Sequence, residues 1–290
     1  MATGGPPAPA VGSRGSKMLG GGRSAAVSTI STLVFFGLLA VVIALAPGSR
    51  EVAHDFFSFD AMREAFVGTE TTPSIGSAFL LNIKMFLFAE VLILILALGI
   101  AVVRQMPGPV FFPFRFLAVA YTDFFRGVPL LLVIYIFGFG VPGLQIDGIS
   151  DRSPVVLGVA ALVLSYSAYV AEVYRSGIDS VHESQVAAAR SLGLSRMKAL
   201  RFVVLPQAIR RVIPPLLNDF ISLQKDTALV AVLGPIEAAR AAAIYGADRF
   251  NYSSFVVAAA LFIALTIPLA RFTDHLIARD RKRRRAGALV

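Results

Sequence analysis

Long apolar runs alternate with short polar stretches along this chain, and that alternation sets the architecture. The runs fall at about residues 26–46, 78–103, 116–141, 154–175, 213–233 and 254–270. Each is close to the ~20 residues that carry a helix across a ~30 Å hydrocarbon core. They predict an all-α, polytopic membrane helix bundle with about six transmembrane helices, the last running on to His275. The first run has a rival reading as a signal peptide, because Ala44-Leu45-Ala46 imitates a cleavage site. It is longer than a usual signal core and Pro47 follows directly, so the expectation is a retained, additional N-terminal helix at 25–46. Residues 1–24 are rich in Gly, Ala, Pro and Ser and read as a disordered cytoplasmic tail.

A few polar residues interrupt the runs. Lys84 lies near one end of the second span, where its stem can carry the ammonium toward the headgroups. Glu90 falls near the centre of that span, where a carboxylate costs a few kcal/mol or more in lipid (about 3 on insertion scales). It therefore faces the bundle interior or a water-filled path, or else makes a structural hydrogen bond or ion pair between helices. At about 100° per residue, Asn82 and Glu90 lie within roughly 80° of each other, with Lys84 off that face. Asp123 and Arg126 read as an i,i+3 ion pair, and so do Glu172 and Arg175. Pro214 and Pro215 open the fifth span, which also carries Asn218, Lys225 and Asp226. Lys225 and Asp226 are adjacent, so they need separate partners, either along a pathway or as braces between helices. Residues 234–253 begin with Gly234-Pro235 and read in part as a short helix along the outer surface.

Between the fourth and fifth spans lies a basic loop, 178–210, with an unusual order of parts. An Ala-rich helix, Gln185 to Leu192, is expected to end at Gly193, which supplies a left-handed stop. Ser195 then caps a second helix that runs to Leu205-Pro206, with Met197, Leu200 and Val204 along one stripe. A short helix held between two spans has little to do for the lipid. It is well placed to plug into a soluble partner.

Composition supports the membrane reading and removes other classes. Apolar residues make up 56% of the 290 residues and charged ones 16%. The absence of cysteine excludes disulfides, thiolate metal sites and cysteine nucleophiles. The three histidines, His54, His182 and His275, are scattered without metal-ligand spacing, so no metal site is expected. Gly12 to Lys17 imitates a phosphate loop at the wrong spacing, and there is no Gly-x-Ser-x-Gly elbow. No catalytic residue is therefore assigned, and the chain is not expected to be an enzyme. The net charge of +9 reflects loops facing anionic lipid, with no nucleic-acid role. With both termini inside, the cytoplasmic segments hold 18 Lys and Arg residues against five outside. That satisfies the positive-inside rule and makes the 178–210 loop cytoplasmic. The basic tail, 277–290, then acts as a stop-transfer signal and lipid anchor through Arg281 to Arg285.

The loop resembles the signature of ABC importer permeases. That pattern is Glu-Ala-Ala, three residues, Gly, nine residues, then Ile-x-Leu-Pro. Here it reads Ala187-Ala188-Ala189, three residues, Gly193, nine residues, then Val203-Val204-Leu205-Pro206. Ala187 stands where the family has its acid. The flanks are similar to the polar amino acid branch: Tyr169 to Glu172 with Arg175, Gln207-Ala208, Pro214-Pro215, Asn218, Lys225-Asp226-Thr227, and Arg126-Gly127-Val128-Pro129 upstream. The likeness covers a permease core of roughly residues 72–276.

The resemblance implies a type I ABC importer permease fold in the cell membrane and an ATP-driven importer of polar amino acids, glutamate or glutamine among them. Gln185, Ala187, Ala188, Ala189, Arg190, Gly193, Leu205 and Pro206 would couple to a cytoplasmic ATPase dimer. ATP and Mg would be bound by that ATPase, and no cofactor by this chain. Asn82, Glu90, Arg126, Pro129, Asn218, Lys225 and Asp226 would line the translocation pathway or its gate. A second permease subunit would complete the pathway. With Ala187 in place of the acid, weaker docking from this subunit is expected, and a heteromeric pathway whose other permease keeps the Glu. An extracytoplasmic substrate-binding protein would deliver the cargo, and membrane lipids would surround the bundle. A different class stays open on the residues alone: a secondary transporter driven by an ion gradient through Glu90. It predicts inverted repeats, which the sequence does not display.

Overall fold

A computed structural model describes the backbone of residues 22–287, with side chains from 26 to 279 other than 196 and 197. The expected disordered tail lies outside the described residues except at 22–24, which open the first helix. The chain divides into two compact units, Met1–His54 and Asp55–Val290. The first contains α1 (Gly22–Leu45), whose stretch Ala26–Leu45 has a mean hydropathy of 2.4. Its Ser31 and Thr32 hydroxyls donate to the Ser28 carbonyl, so these polar groups are satisfied within the helix. Helix α2 (Ser49–Phe57) crosses the boundary between the units.

The regular secondary structure of the second unit is all helical among its described residues. It comprises α3 (Phe59–Val67), α4 (Ile75–Gln105), α5 (Phe112–Gly127), α6 (Leu130–Tyr135), α7 (Val141–Gly143), α8 (Pro154–Asp179), α9 (Glu183–Ser191), α10 (Arg196–Ala199), α11 (Leu205–Asp226), α12 (Ala238–Arg249) and α13 (Ser253–Gly287). Among the described residues four helices are long and apolar enough to cross a membrane alone: α1, α4, α8 and α13. Two bent pairs bring the number to six.

Both bends have local causes. The third predicted span breaks between α5 and α6, which meet at 107°. Pro129 crowds the residue before it out of the helical region, and Val128 is extended at φ −95°, ψ 130°. Pro129 then serves as the cap of α6. At the fifth span, α10, a π turn at Leu200–Val204 and α11 form one continuous helical path. The expected second loop helix therefore feeds the span directly. After α11 the chain tightens into a 3₁₀ stretch, Thr227–Leu233, and turns at Gly234, whose φ of 106° suits glycine. Helix α12 then sets off at 51°. It does not lie bare along a surface. Ala238, Ala241, Ala242 and Tyr245 are buried against α4 and α13.

Helix α8 is the hub, with 67% of its most apolar stretch buried. Small residues let neighbouring backbones come close, as membrane packing favours. A Cβ added at Gly158 would lie 2.5 Å from Val230, and one at Gly177 would lie 2.1 Å from Val212. These two glycines set the approach of α8 to α11 at one end and to the 3₁₀ stretch at the other. Ile93, Ile134, Leu162, Leu223 and Val230 fill the core around α8. A second apolar cluster, with Ile75, Phe79 and Tyr245, joins α3, α4, α12 and α13. At the chain's end α13 carries on to Gly287, so the backbone of the predicted basic tail is helical as far as it is described.

Candidate functional site

The 178–210 loop is built by caps. His182 accepts the Ser184 amide through Nδ1, so α9 starts at Glu183, two residues before the expected Gln185. Its end is the expected one. Gly193 adopts φ +85°, its amide donates to the Arg190 carbonyl, and the Leu194 amide donates to Ala189. Ser195 caps the next helix through the Lys198 amide. Ala189 points inward at 6% exposure, whereas Gln185, Ala187, Ala188 and Arg190 are exposed. Leu192 stands 84% exposed at the tip. Two ties hold the loop to α11. Gln207 Nε2 donates to Gln185 Oε1 at 2.5 Å and to the Val203 carbonyl at 3.0 Å. Arg211 donates to the Ser180 carbonyl. Leu205 and Pro206 lie at the start of α11, both exposed.

Glu172 gathers charge at the same end of the bundle. Arg104 Nη1 donates to it at 2.8 Å, Arg175 binds both it and Asp179, and Arg126 approaches to 3.9 Å. The Glu172–Arg175 pair is the one the spacing predicts. Arg126 turns to Glu172 across helices instead of to Asp123, so the expected i,i+3 pair does not form. One carboxylate thus ties α4, α5 and α8 together.

The opposite half of α4 carries a closed polar node. Asn82 is 1% exposed, Thr227 0% and Glu237 0%. Asn82 Nδ2 donates to Thr227 Oγ1 at 3.1 Å and to Glu237 Oε2 at 2.9 Å, and its Oδ1 accepts the Ala238 amide at 3.1 Å. Glu237 also caps α12, accepting the Ala239 and Arg240 amides at 3.0 and 2.7 Å. Every heavy polar atom of the Asn82 side chain is engaged, as burial in a low-dielectric interior demands.

A more open acidic cluster sits between α4, α8 and α11. Glu90 makes no hydrogen bond or ion pair among the described residues and lies within electrostatic range of Asp219 and Tyr174. The buried Oδ2 of Asp219 has no hydrogen-bond partner. Tyr166 donates to Asp226 Oδ2 at 2.6 Å and lies within range of Asp219 as well. Lys225 points elsewhere and is exposed, as the adjacency of Lys225 and Asp226 requires, and Asn218 is exposed too. Of the residues assigned to a pathway, Glu90 and Asp226 border this cluster. Asn82 belongs to the closed node, while Arg126 and Pro129 lie at the α5–α6 bend. Sequence reasoning passed over Asp219. The signal was present, because Asp219 and Asp226 are seven residues apart and share a helix face. It also gave Glu237 and Arg104 no partners, since those contacts join helices far apart in the chain.

Residues 108–282 match the family described as binding-protein-dependent transport system inner membrane component. The chain is similar to the probable glutamine ABC transporter permease protein GlnM of Bacillus subtilis, 38% identical over 193 residues, 64% of this chain and 84% of that one. It is 32% identical over 213 residues to the arginine transport system permease protein ArtQ of the same organism, 72% of this chain and 93% of that one. Among solved structures it resembles the crystal structure of an amino acid ABC transporter with histidines, at a TM-score of 0.65 and 30% identity, over 71% of this chain and 93% of that one. The bundle of bent and straight spans is accordingly the type I importer permease fold. The chain belongs to the binding-protein-dependent transport system inner membrane component family, as a multi-pass permease of the amino acid ABC importer kind.

Proposed function

We propose that this chain is the pathway subunit of an ATP-driven importer of polar amino acids, and that α9 is its contact with a separate ATPase. The observation that carries this is the bare tip of the loop. A capped helix of nine residues stops at Gly193 and presents Leu192 to solvent. An exposed leucine at the end of a rigid, tethered helix suits a hydrophobic cleft on a partner. The surplus of Lys and Arg supports a cytoplasmic position for this loop and both termini. ATP and Mg would bind the ATPase dimer and not this chain. Closure of that dimer would push α9, and the ties through Gln207 and Arg211 would carry the motion into α11. Rigid-body tilting then alternates access between the two sides.

The open acidic cluster supports a cargo bearing an ammonium group. Glu90 and Asp219 are carboxylates in a bundle interior with unfilled hydrogen-bonding capacity. All amino acids supply an α-ammonium, so this feature gives the class and not the individual substrate. The relatives named for glutamine and arginine support the polar end of that class. An extracytoplasmic binding protein would deliver the cargo. Ala187, in place of the family acid, supports a heteromeric pathway whose other permease keeps it.

The test is affinity capture from solubilised membranes, comparing the intact chain with one lacking residues 183–194. Recovery of an ATPase with the intact chain alone supports the docking role. Equal recovery moves docking elsewhere, and no ATPase in either sample contradicts the proposal. Gly193→Val sharpens the result. It forces a β-branched residue into a left-handed conformation at a cost of about 1–2 kcal/mol. The variant is expected in the membrane at normal abundance with transport uncoupled, and normal transport would refute the role of α9.

A further inference from the structure

We propose that α4 and α8 together form a binding site for an anionic phospholipid, with one acyl chain in an apolar groove and the phosphate on Lys84. The groove has a volume of about 580 Å³ and is lined almost wholly by apolar groups, among them Phe88 and Leu92 of α4 and Val156, Ala160 and Leu164 of α8. The lone ionisable residue of the lining is Lys84. It is exposed and has no hydrogen-bond or ion-pair partner among the described residues.

Length and depth identify the occupant. The α4 lining runs from Leu81 to Leu92. At 1.5 Å per residue that is about 16 Å, the thickness of one leaflet of a ~30 Å hydrocarbon core. Helix α4 has 31 residues, hence a length of about 46 Å, and extends past the core at both ends. If it is centred, Lys84 starts about 6 Å inside the hydrocarbon boundary, a depth from which its stem brings the ammonium to the headgroups. A cation about one turn in from the Leu81 end of a leaflet-deep apolar groove, on a stem that reaches the headgroups, fits a lipid phosphate above an acyl chain. A zwitterionic lipid would bring its own cation beside Lys84 and is disfavoured. The leaflet is the one at the Ile75 end, the outer one under the proposed orientation. The site itself does not depend on which side that is, nor on the transport reading.

The absence of cysteine makes a clean test possible. The full chain, purified with its assembled transporter, is reconstituted in nanodiscs of equal phosphatidylglycerol and phosphatidylcholine. Bound lipid is read by native mass spectrometry. The expected result is retained phosphatidylglycerol on the native chain, at least fivefold less on Lys84→Met and on Ala160→Phe, and recovery on Lys84→Arg. Equal retention of the two lipids, or no change in Lys84→Met, overturns the proposal. The single-cysteine variant Ala160→Cys gives a second reading in native membranes. Cross-linking of that cysteine to another permease subunit would show the groove to be a protein interface and also overturn it, whereas reaction with a lipid-soluble maleimide alone supports it. None of these outcomes bears on ATPase docking, so failure here leaves the importer reading untouched.

Discussion

Asn82 and Glu90 stand eight residues apart on the same helix and are both polar residues in an apolar run, yet their surroundings differ. Asn82 is sealed in, and its amide is spent on Thr227, Glu237 and the start of α12. Glu90 lies within electrostatic range of Asp219 and Tyr174 on other helices and makes no hydrogen bond among the described residues. The first arrangement resists change, because opening it would strand several buried groups at once. The second has capacity to spare, which suits the proposed contact with a passing cargo. Position in a span is the same kind of signal in both cases. Only the partners tell a brace from a pathway group.

That contrast yields a graded set of outcomes. Glu237→Ala should have the largest effect. It strips Asn82 of an acceptor and two amides of their cap, at a cost of about 3 kcal/mol or more. Thermal unfolding in detergent should fall sharply, and little protein should reach the membrane. Asn82→Leu also removes three hydrogen bonds but refills the space with an apolar side chain of similar size, and should cost about 1–3 kcal/mol by the same assay. Glu90→Gln should behave oppositely, leaving the unfolding midpoint nearly unchanged. Uptake should drop about tenfold, the equivalent of about 1.4 kcal/mol of lost charge-assisted contact. If Glu90→Gln instead destabilises the protein and Glu237→Ala does not, the assignment of brace and pathway is reversed. Gln207→Ala should be the mildest. It cuts one tie between α9 and α11, worth about 1 kcal/mol, and should lower coupled transport a few-fold without loss of abundance.

The spans were legible because an apolar run of this length is itself the cause of a membrane helix. The stop at Gly193 was legible for a similar reason, since a single residue's backbone freedom dictates the turn. The start of α9 was displaced because His182 does the capping, a residue outside the usual Ser, Thr, Asp and Asn set. The bend of 107° was missed although Pro129 was in plain view. A proline following an extended residue breaks a helix whatever family pattern it belongs to. The Glu172 cluster and the Asn82 node were half legible. Their polar members stand out in the chain, but Arg104 lies 68 residues from Glu172, and Asn82 lies 155 from Glu237. Only packing brings such pairs together.

The most direct test of the central claim is the energy source. The transporter containing this chain should be reconstituted in liposomes with the proposed ATPase and binding protein, and amino acid uptake measured with ATP present or absent, with and without an imposed proton or sodium gradient. Uptake that requires ATP and ignores the gradient is the predicted result. Uptake that follows the gradient without ATP would contradict it and make Glu90 the ion site of a secondary transporter.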